Sequence, residues 1–193
     1  MNYREETYPG DLSLLLVKAN KIARTILKKL NFNNCPSIND LFFELHKTCG
    51  VQPEYSVIRN KKAFNELGYL PNIKSGKVKS NNEFKGLYVF GEEIKGKVTP
   101  VYVGISRTVY RRLRQHGFGK LHNESTLAYL MAKNEKEELT RASSSNSILE
   151  PKREILRNFK VVLYPVLNDY ELYFYEVALA GILKTKWNTF RTH

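Results

Sequence analysis

Tyr88 and Tyr102 lie in two short β-rich runs, GLYVFGE (86–92) and TPVYVG (99–104). A strand tyrosine is by default a packing residue, since its ring suits a pleated, half-buried surface. The next segment changes their meaning. Val109 and Leu113 mark an apolar helical stripe, with Arg112 three residues after the first and His116 three after the second. Arg112 and His116 are four apart and so share a helix face. They stand on the margin of the stripe, close to where the second strand ends at Gly104. Taken singly, the arginine reads as an ion-pair partner and the histidine as a rim residue. Further on, Leu172, Leu179 and Leu183 keep a core-facing rhythm that Glu176 interrupts. A carboxylate in such a stripe is costly unless a cation or a hydrogen-bond donor meets it. One of the arginines in a buried ion pair would satisfy it, and so would a hard divalent cation. Magnesium suits a lone carboxylate, because it keeps most of its waters and takes further oxygens from phosphate.

These residues need elements to hold them. Apolar positions 12, 15, 16, 19, 23, 26, 27 and 30 recur at threes and fours and predict a helix over 11–30. Ser37 is placed to cap a second helix running to about His46, with Leu41, Phe42 and Leu45 inside. Residues 51–70 suggest a short strand and a short helix, and 70–83 reads as a polar connector. The runs 86–92 and 99–104 predict an antiparallel hairpin interrupted by EIKGKV. Ser106 is placed to cap a helix that Gly117 ends. Further helices are expected over about 125–136, from about Pro151, and from Asn168 or Asp169 to about Lys186. FKVVLYPV (159–166) is the strongest strand signal, and 137–149 reads as a loop or a frayed helix.

The 193 residues suit one domain or one with a smaller companion, and 42% hydrophobic residues allow a real core. The formal net charge is +12, and both halves of the chain are basic. Positive charge spread over the folded body points to a polyanion partner. Its densest run is Arg107, Arg111, Arg112, Arg114 and Lys120, with no acid between them. Nucleic acid is the first candidate and an acidic membrane surface the second. No apolar run approaches the roughly 20 residues of a membrane helix, and MNYREETYPG does not read as a secretion signal. Cys35 and Cys49, too few for a disulfide framework, read as reduced thiols of a cytoplasmic protein.

GLY at 86–88, YVG at 102–104, Arg112 eight residues past Gly104, Glu176 in a late helix and Asn188 after it resemble, in order and spacing, the GIY-YIG nuclease superfamily. The resemblance covers about residues 84–193, and the ending WNTFRTH also looks like the tail of small members. The 13-residue spacer between GLY and YVG is longer than usual, and Ile105 stands where many members have a polar or basic residue.

The resemblance implies an α+β fold, a small three-stranded antiparallel sheet flanked by helices, over 84–193; apolar spacing reads 1–83, outside the resemblance, as a mainly helical region of unknown role. It implies a metal-dependent endonuclease that hydrolyses phosphodiester bonds, with double-stranded DNA the first substrate. Tyr88 and Tyr102 would flank the attacking water. Tyr88 would be the general base, directly or by passing a proton, with its pKa brought down from about 10 by Arg112 and a metal. Arg112 would steady charge on the phosphoryl oxygens, and Glu176 would anchor one Mg²⁺ or Mn²⁺. His116 would support the water or the phosphate, and Asn188 would position the metal site or its loop. Gly104 would let substrate approach the backbone. Arg107, Arg111, Arg114 and Lys120 would contact nucleic acid. An RNA-cutting or toxin-like nuclease shares this chemistry, and a catalytically silent binding protein is the further alternative. Cutting both strands would take a homodimer or two visits. Lys18, Lys21, Arg24, Lys28 and Lys29 would either meet phosphates or stand in water on a helical cap.

Overall fold

The computed structural model describes residues 7–49, 85–121 and 123–190. The short strand and helix expected within 51–70, and the connector at 70–83, lie outside the described residues. The protein is α+β, with one three-stranded antiparallel sheet between two layers of helices. In chain order the elements are α1 (Leu12–Leu30), α2 (Ile38–Cys49), β1 (Gly86–Ile94), β2 (Lys97–Ser106), α3 (Val109–Phe118), α4 (Thr126–Glu135), α5 (Asn146–Arg157), β3 (Lys160–Pro165) and α6 (Asp169–Leu183).

β1 is the centre of the sheet, with β2 and β3 on either side. β1 and β2 join through Lys95 and Gly96, whose φ values of 52° and 76° suit a two-residue hairpin turn. The strands run up to that turn, and Ile94 pairs with Lys97. The polar EIKGKV segment therefore belongs to the hairpin instead of interrupting it. The register slips between Phe90 and Gly91, where Val101 is the extra residue of a bulge. The slip inverts the side-chain alternation of β2, so Val98 and Val103 face the same core although they are five apart.

Strict alternation along β1 divides the interior. Leu87 and Val89, with Val103 and Val162, pack against α1 and α6. Tyr88 and Phe90, with Val161 and Leu163, pack against α2, α3, α4 and α5. α1 thus belongs to the first of these cores and α2 to the second. The frame of α1 differs from the expected stripe. Leu12, Leu16 and Leu27 are 61%, 47% and 40% exposed, and Ile22 is buried in their place. The helix faces a sheet and one helix, so a narrow stripe of Leu15, Ala19, Ile22, Ala23, Ile26 and Leu30 suffices.

Capping sets the helix starts. At α2, the Ser37 hydroxyl accepts from Asp40 N at 3.1 Å while Asp40 Oδ2 accepts from Ser37 N at 2.9 Å. The Asn168 side chain accepts from Glu171 N at 3.0 Å to start α6. Ser106 caps no helix. Its hydroxyl accepts from Thr108 N at 3.0 Å within the turn, and α3 starts three residues later. α5 starts at Asn146, so Pro151 lies inside it. Buried Arg153 bonds Glu150 and Asn146 along that helix.

Each rim of the sheet is occupied along part of its length. Beyond β2, Trp187 N donates to Val101 O at 3.0 Å, and the Asn188 side chain bonds both backbone groups of Val103 at 2.8 Å. Beyond β3, Val161 N donates to Pro36 O at 2.8 Å and Ser37 bridges to Lys160.

Candidate active site

Tyr88 points to the α3 side of the sheet, opposite Gly104 of β2. Its ring crosses onto the neighbouring strand. A Cβ at residue 104 would lie 2.7 Å from Tyr88 Cε2 and would overlap Cζ and Oη. The room expected at Gly104 for substrate is taken by the Tyr88 phenol.

The Tyr88 hydroxyl ends 2.9 Å from His116 Nε2. α3 brings His116 there because Val109, Leu113 and Gly117 bury the same side of the helix. Four rings gather at this point. Phe90 and Tyr102 are cross-strand partners with centroids 6.0 Å apart, and the His116 ring lies 5.5 Å from Phe90 and 5.8 Å from Tyr102. Phe90 carries no chemistry of its own and is not among the residues that the motif spacing singles out. Its place is nonetheless implied by strand alternation, since it lies two residues after Tyr88 and must share its face.

Arg112 is half-buried, and its guanidinium is held by three groups. Nη1 donates to Gln115 Oε1 at 3.3 Å and to Glu124 O at 3.1 Å, and Nη2 donates to Thr126 Oγ1 at 3.3 Å. The buried Ser125 hydroxyl closes the same turn by donating to His116 O at 2.7 Å. Gln115 follows Arg112 by three residues on α3 and so shares its helix face, whereas spacing gives no hint of Thr126, which acts across the turn between α3 and α4.

Glu176 reaches the group from α6, which packs on the opposite sheet face and along β2. Its carboxylate is half-buried and, among the described residues, has neither a hydrogen bond nor an ion pair. The buried ion pair with an arginine, one of the two partners expected for this carboxylate, is not formed. Asn188 ties this side together. Its amide spans Val103, between Tyr102 and Gly104, while Thr185 Oγ1 donates to Asn188 Oδ1 at 2.8 Å. The chain just after α6 is thereby fastened to the strand that carries Tyr102.

The electrostatics follow from burial. Burial first, and then the Tyr102 phenol, raise the Tyr88 pKa well above the usual tyrosine value. The Arg112 cation pulls it down without offsetting burial. The expectation of a Tyr88 pKa brought down by its cationic neighbour is therefore corrected for the protein alone. Tyr102 is raised as well, by burial and, after the opposing effect of Arg112, by Glu176. Burial, then Arg112, push His116 well below the ordinary histidine value, so it is neutral at pH 7. Burial lifts Glu176 to about 7. That Glu176 acts on both phenols places its carboxylate in their field, although it arrives from the other side of the sheet.

The basic residues are more dispersed. Arg111 and Lys120 are exposed and Arg114 is half-buried. Arg107, also exposed, donates to Asp169 at 2.9 Å, a carboxylate shared with Lys85 at 2.8 Å. Part of its charge is thus already matched.

Among the described residues no three His, Cys, Asp or Glu side chains cluster as a metal site, and no helix is long and apolar enough to cross a membrane. The donor set fits a hard divalent cation held by one carboxylate, with water and substrate oxygens as its other ligands. No protein-family model, curated protein or solved structure matches the chain.

Proposed function

We propose that the protein is a metal-dependent endonuclease of GIY-YIG type that hydrolyses phosphodiester bonds in nucleic acid, with duplex DNA as its substrate. One observation carries this reading. A half-buried carboxylate without a partner among the described residues shares its field with two phenols, and a cradled guanidinium stands beside them. A purely structural site would pair Glu176 with Arg112. Here Arg112 instead bonds neutral oxygens, which keeps its positive charge for an anion.

The chain's groups divide the work. Tyr88 keeps its proton in the resting pocket, so it accepts the proton of an attacking water only while handing its own to His116 Nε2, 2.9 Å away. Neutral His116 is the acceptor that makes the transfer feasible. Arg112 stabilises the charge that grows on the phosphoryl oxygens. Glu176 holds Mg²⁺ or Mn²⁺, which when bound supplies charge neutralisation at the phosphate and assistance to the leaving oxygen. Tyr102 borders the water, and Asn188 holds β2 and the chain after α6 in register.

The test is purified protein with supercoiled plasmid and, separately, structured RNA, in Mg²⁺ and in EDTA. Nicking or linearisation in Mg²⁺, lost in EDTA and in Glu176→Gln, is the expected result. Cutting of RNA alone would move the substrate to that class. Robust cutting by Glu176→Gln would remove the metal assignment.

A further inference from the structure

A second concentration of positive charge lies on the other side of the sheet. α1 carries Lys18, Lys21, Arg24, Lys28 and Lys29, and its 19 residues include no Asp or Glu. Its buried stripe packs on α6 and the sheet and fixes the rotation of the helix, so all five cations face solvent. Among the described residues only Lys18 has a carboxylate partner, Glu171 at 3.1 Å. Like charges along one helix repel and disfavour it by a few tenths of a kcal/mol per pair. A row left uncompensated in this way fits an anion supplied from outside.

Spacing and shape narrow the anion. Lys21, Arg24 and Lys28 follow one another at three and four residues, and at 1.5 Å rise per residue they span about 10 Å. One strand of a duplex advances about 3.4 Å per phosphate, so that row spans about three phosphate steps along a strand. Beside Lys18 and Lys21 a cleft of about 400 Å³ opens between α1 and the β3–α6 connection, with Tyr164, Val166 and Glu171 in its wall. Its one carboxylate, Glu171, is already matched by Lys18. The exposed apolar residues of α1 fit a lipid surface poorly. All but Leu27 precede Lys18, so they are not interleaved with the cations.

We infer that the outer face of α1, through Lys21, Arg24 and Lys28, is a second nucleic-acid-binding surface that takes successive backbone phosphates independently of the Tyr88 pocket. The inference rests on the nuclease reading only in naming the polyanion. It gives the protein two contact regions on opposite faces of its sheet, suited to two segments of one molecule.

The full-length chain and its Lys21→Glu/Arg24→Glu/Lys28→Glu variant are compared by fluorescence anisotropy on a duplex of about 30 base pairs in EDTA, over a salt series. Loss of three phosphate contacts reduces the salt slope by about 2.7, so across an about fourfold rise in salt the unaltered chain loses about fortyfold more affinity than the variant. An unchanged slope, or no duplex binding by the unaltered chain, overturns the inference. So does duplex binding that is kept while binding to phosphatidylserine vesicles is lost, which would make α1 a membrane-facing surface. A changed slope in a protein that cuts nothing in Mg²⁺ would keep the surface and discard the nuclease. Cutting with an unchanged slope would do the reverse.

Discussion

The Tyr88 hydroxyl and His116 Nε2 stand 2.9 Å apart, with both side chains withdrawn from solvent. One ring comes from the central strand and the other from the helix after the hairpin, so the pair couples the two elements. Among the described residues, His116 Nδ1 has no hydrogen-bond partner. That leaves Nε2 as the only ring nitrogen engaged, and it is engaged with the proposed proton donor. Tyr88→Phe, which keeps the ring packing, is expected to lower single-turnover cleavage by about 10²–10⁴-fold. The melting temperature should fall only by the loss of one buried hydrogen bond, about 1 kcal/mol. His116→Gln should show a comparable rate loss, and full activity there would end the relay.

Arg112 is aimed by neighbours, not by its own packing. Thr126→Val removes one of its acceptors at nearly constant volume. Cleavage at saturating substrate is expected to fall by about tenfold to a hundredfold, as for a misplaced charge clamp. Thr126→Ser should restore it. Because Arg112 helps hold the His116 pKa down, NMR titration of His116 should move upward if the guanidinium drifts away in Thr126→Val. An unmoved titration with an unmoved rate would show that Thr126 does not position Arg112.

Glu176 makes stability depend on pH. Its folded pKa of about 7 lies above its ordinary value of 4.5, so between those values the folded state binds the proton more tightly. Its contribution is full below about 4.5 and is lost as pH rises through about 7. Discounted for partial exposure, the loss is about 1–3 kcal/mol. Glu176→Gln should therefore melt higher than the unaltered chain at pH 8 and flatten the profile between pH 5 and pH 7. Mg²⁺ at pH 8 should raise the melting temperature of the unaltered chain but not of the variant, as a ligand specific to the folded state does. Denaturation scans over pH, with and without Mg²⁺, check both outcomes.

Gly104 is tied to Tyr88 by volume. A methyl group there would overlap the phenol, so Gly104→Ala should cost about 1–3 kcal/mol by overpacking and displace the hydroxyl from His116. Tyr88→Leu in the same chain should recover stability but not cleavage. Additive stability effects in the double-mutant cycle would mean that the two residues do not meet.

Much of this site is legible in the residues because it obeys short periods. Arg112 and His116 share a helix face by spacing, and Tyr88 and Tyr102 share a sheet face. The second relation depends on the bulge at Val101, which no residue pattern announces. Glu176 stands out by its cost within a leucine stripe. Its lack of a counter-charge becomes visible only once the arginines are placed, with Arg107 paired to Asp169 and Arg112 bonded to neutral oxygens. The phenol pKa goes the other way from expectation because proximity to a cation can be read from a sequence, whereas the desolvation that outweighs it depends on packing. The stripe of α1 slips for a related reason. Leucines at 12, 16 and 27 look like core by type, yet the helix buries only what faces the sheet and α6.

The seals along the two outer strands bear on how the molecule can associate. Open main-chain groups on a sheet border invite an extended segment from another chain, the route to strand-swapped pairs and fibrils. Asn188 and Trp187 occupy that position beside β2, and Pro36 and Ser37 occupy it beside β3. Beside Val101, Val103 and Val161 those groups are already taken, so a second copy would find no strand pairing there.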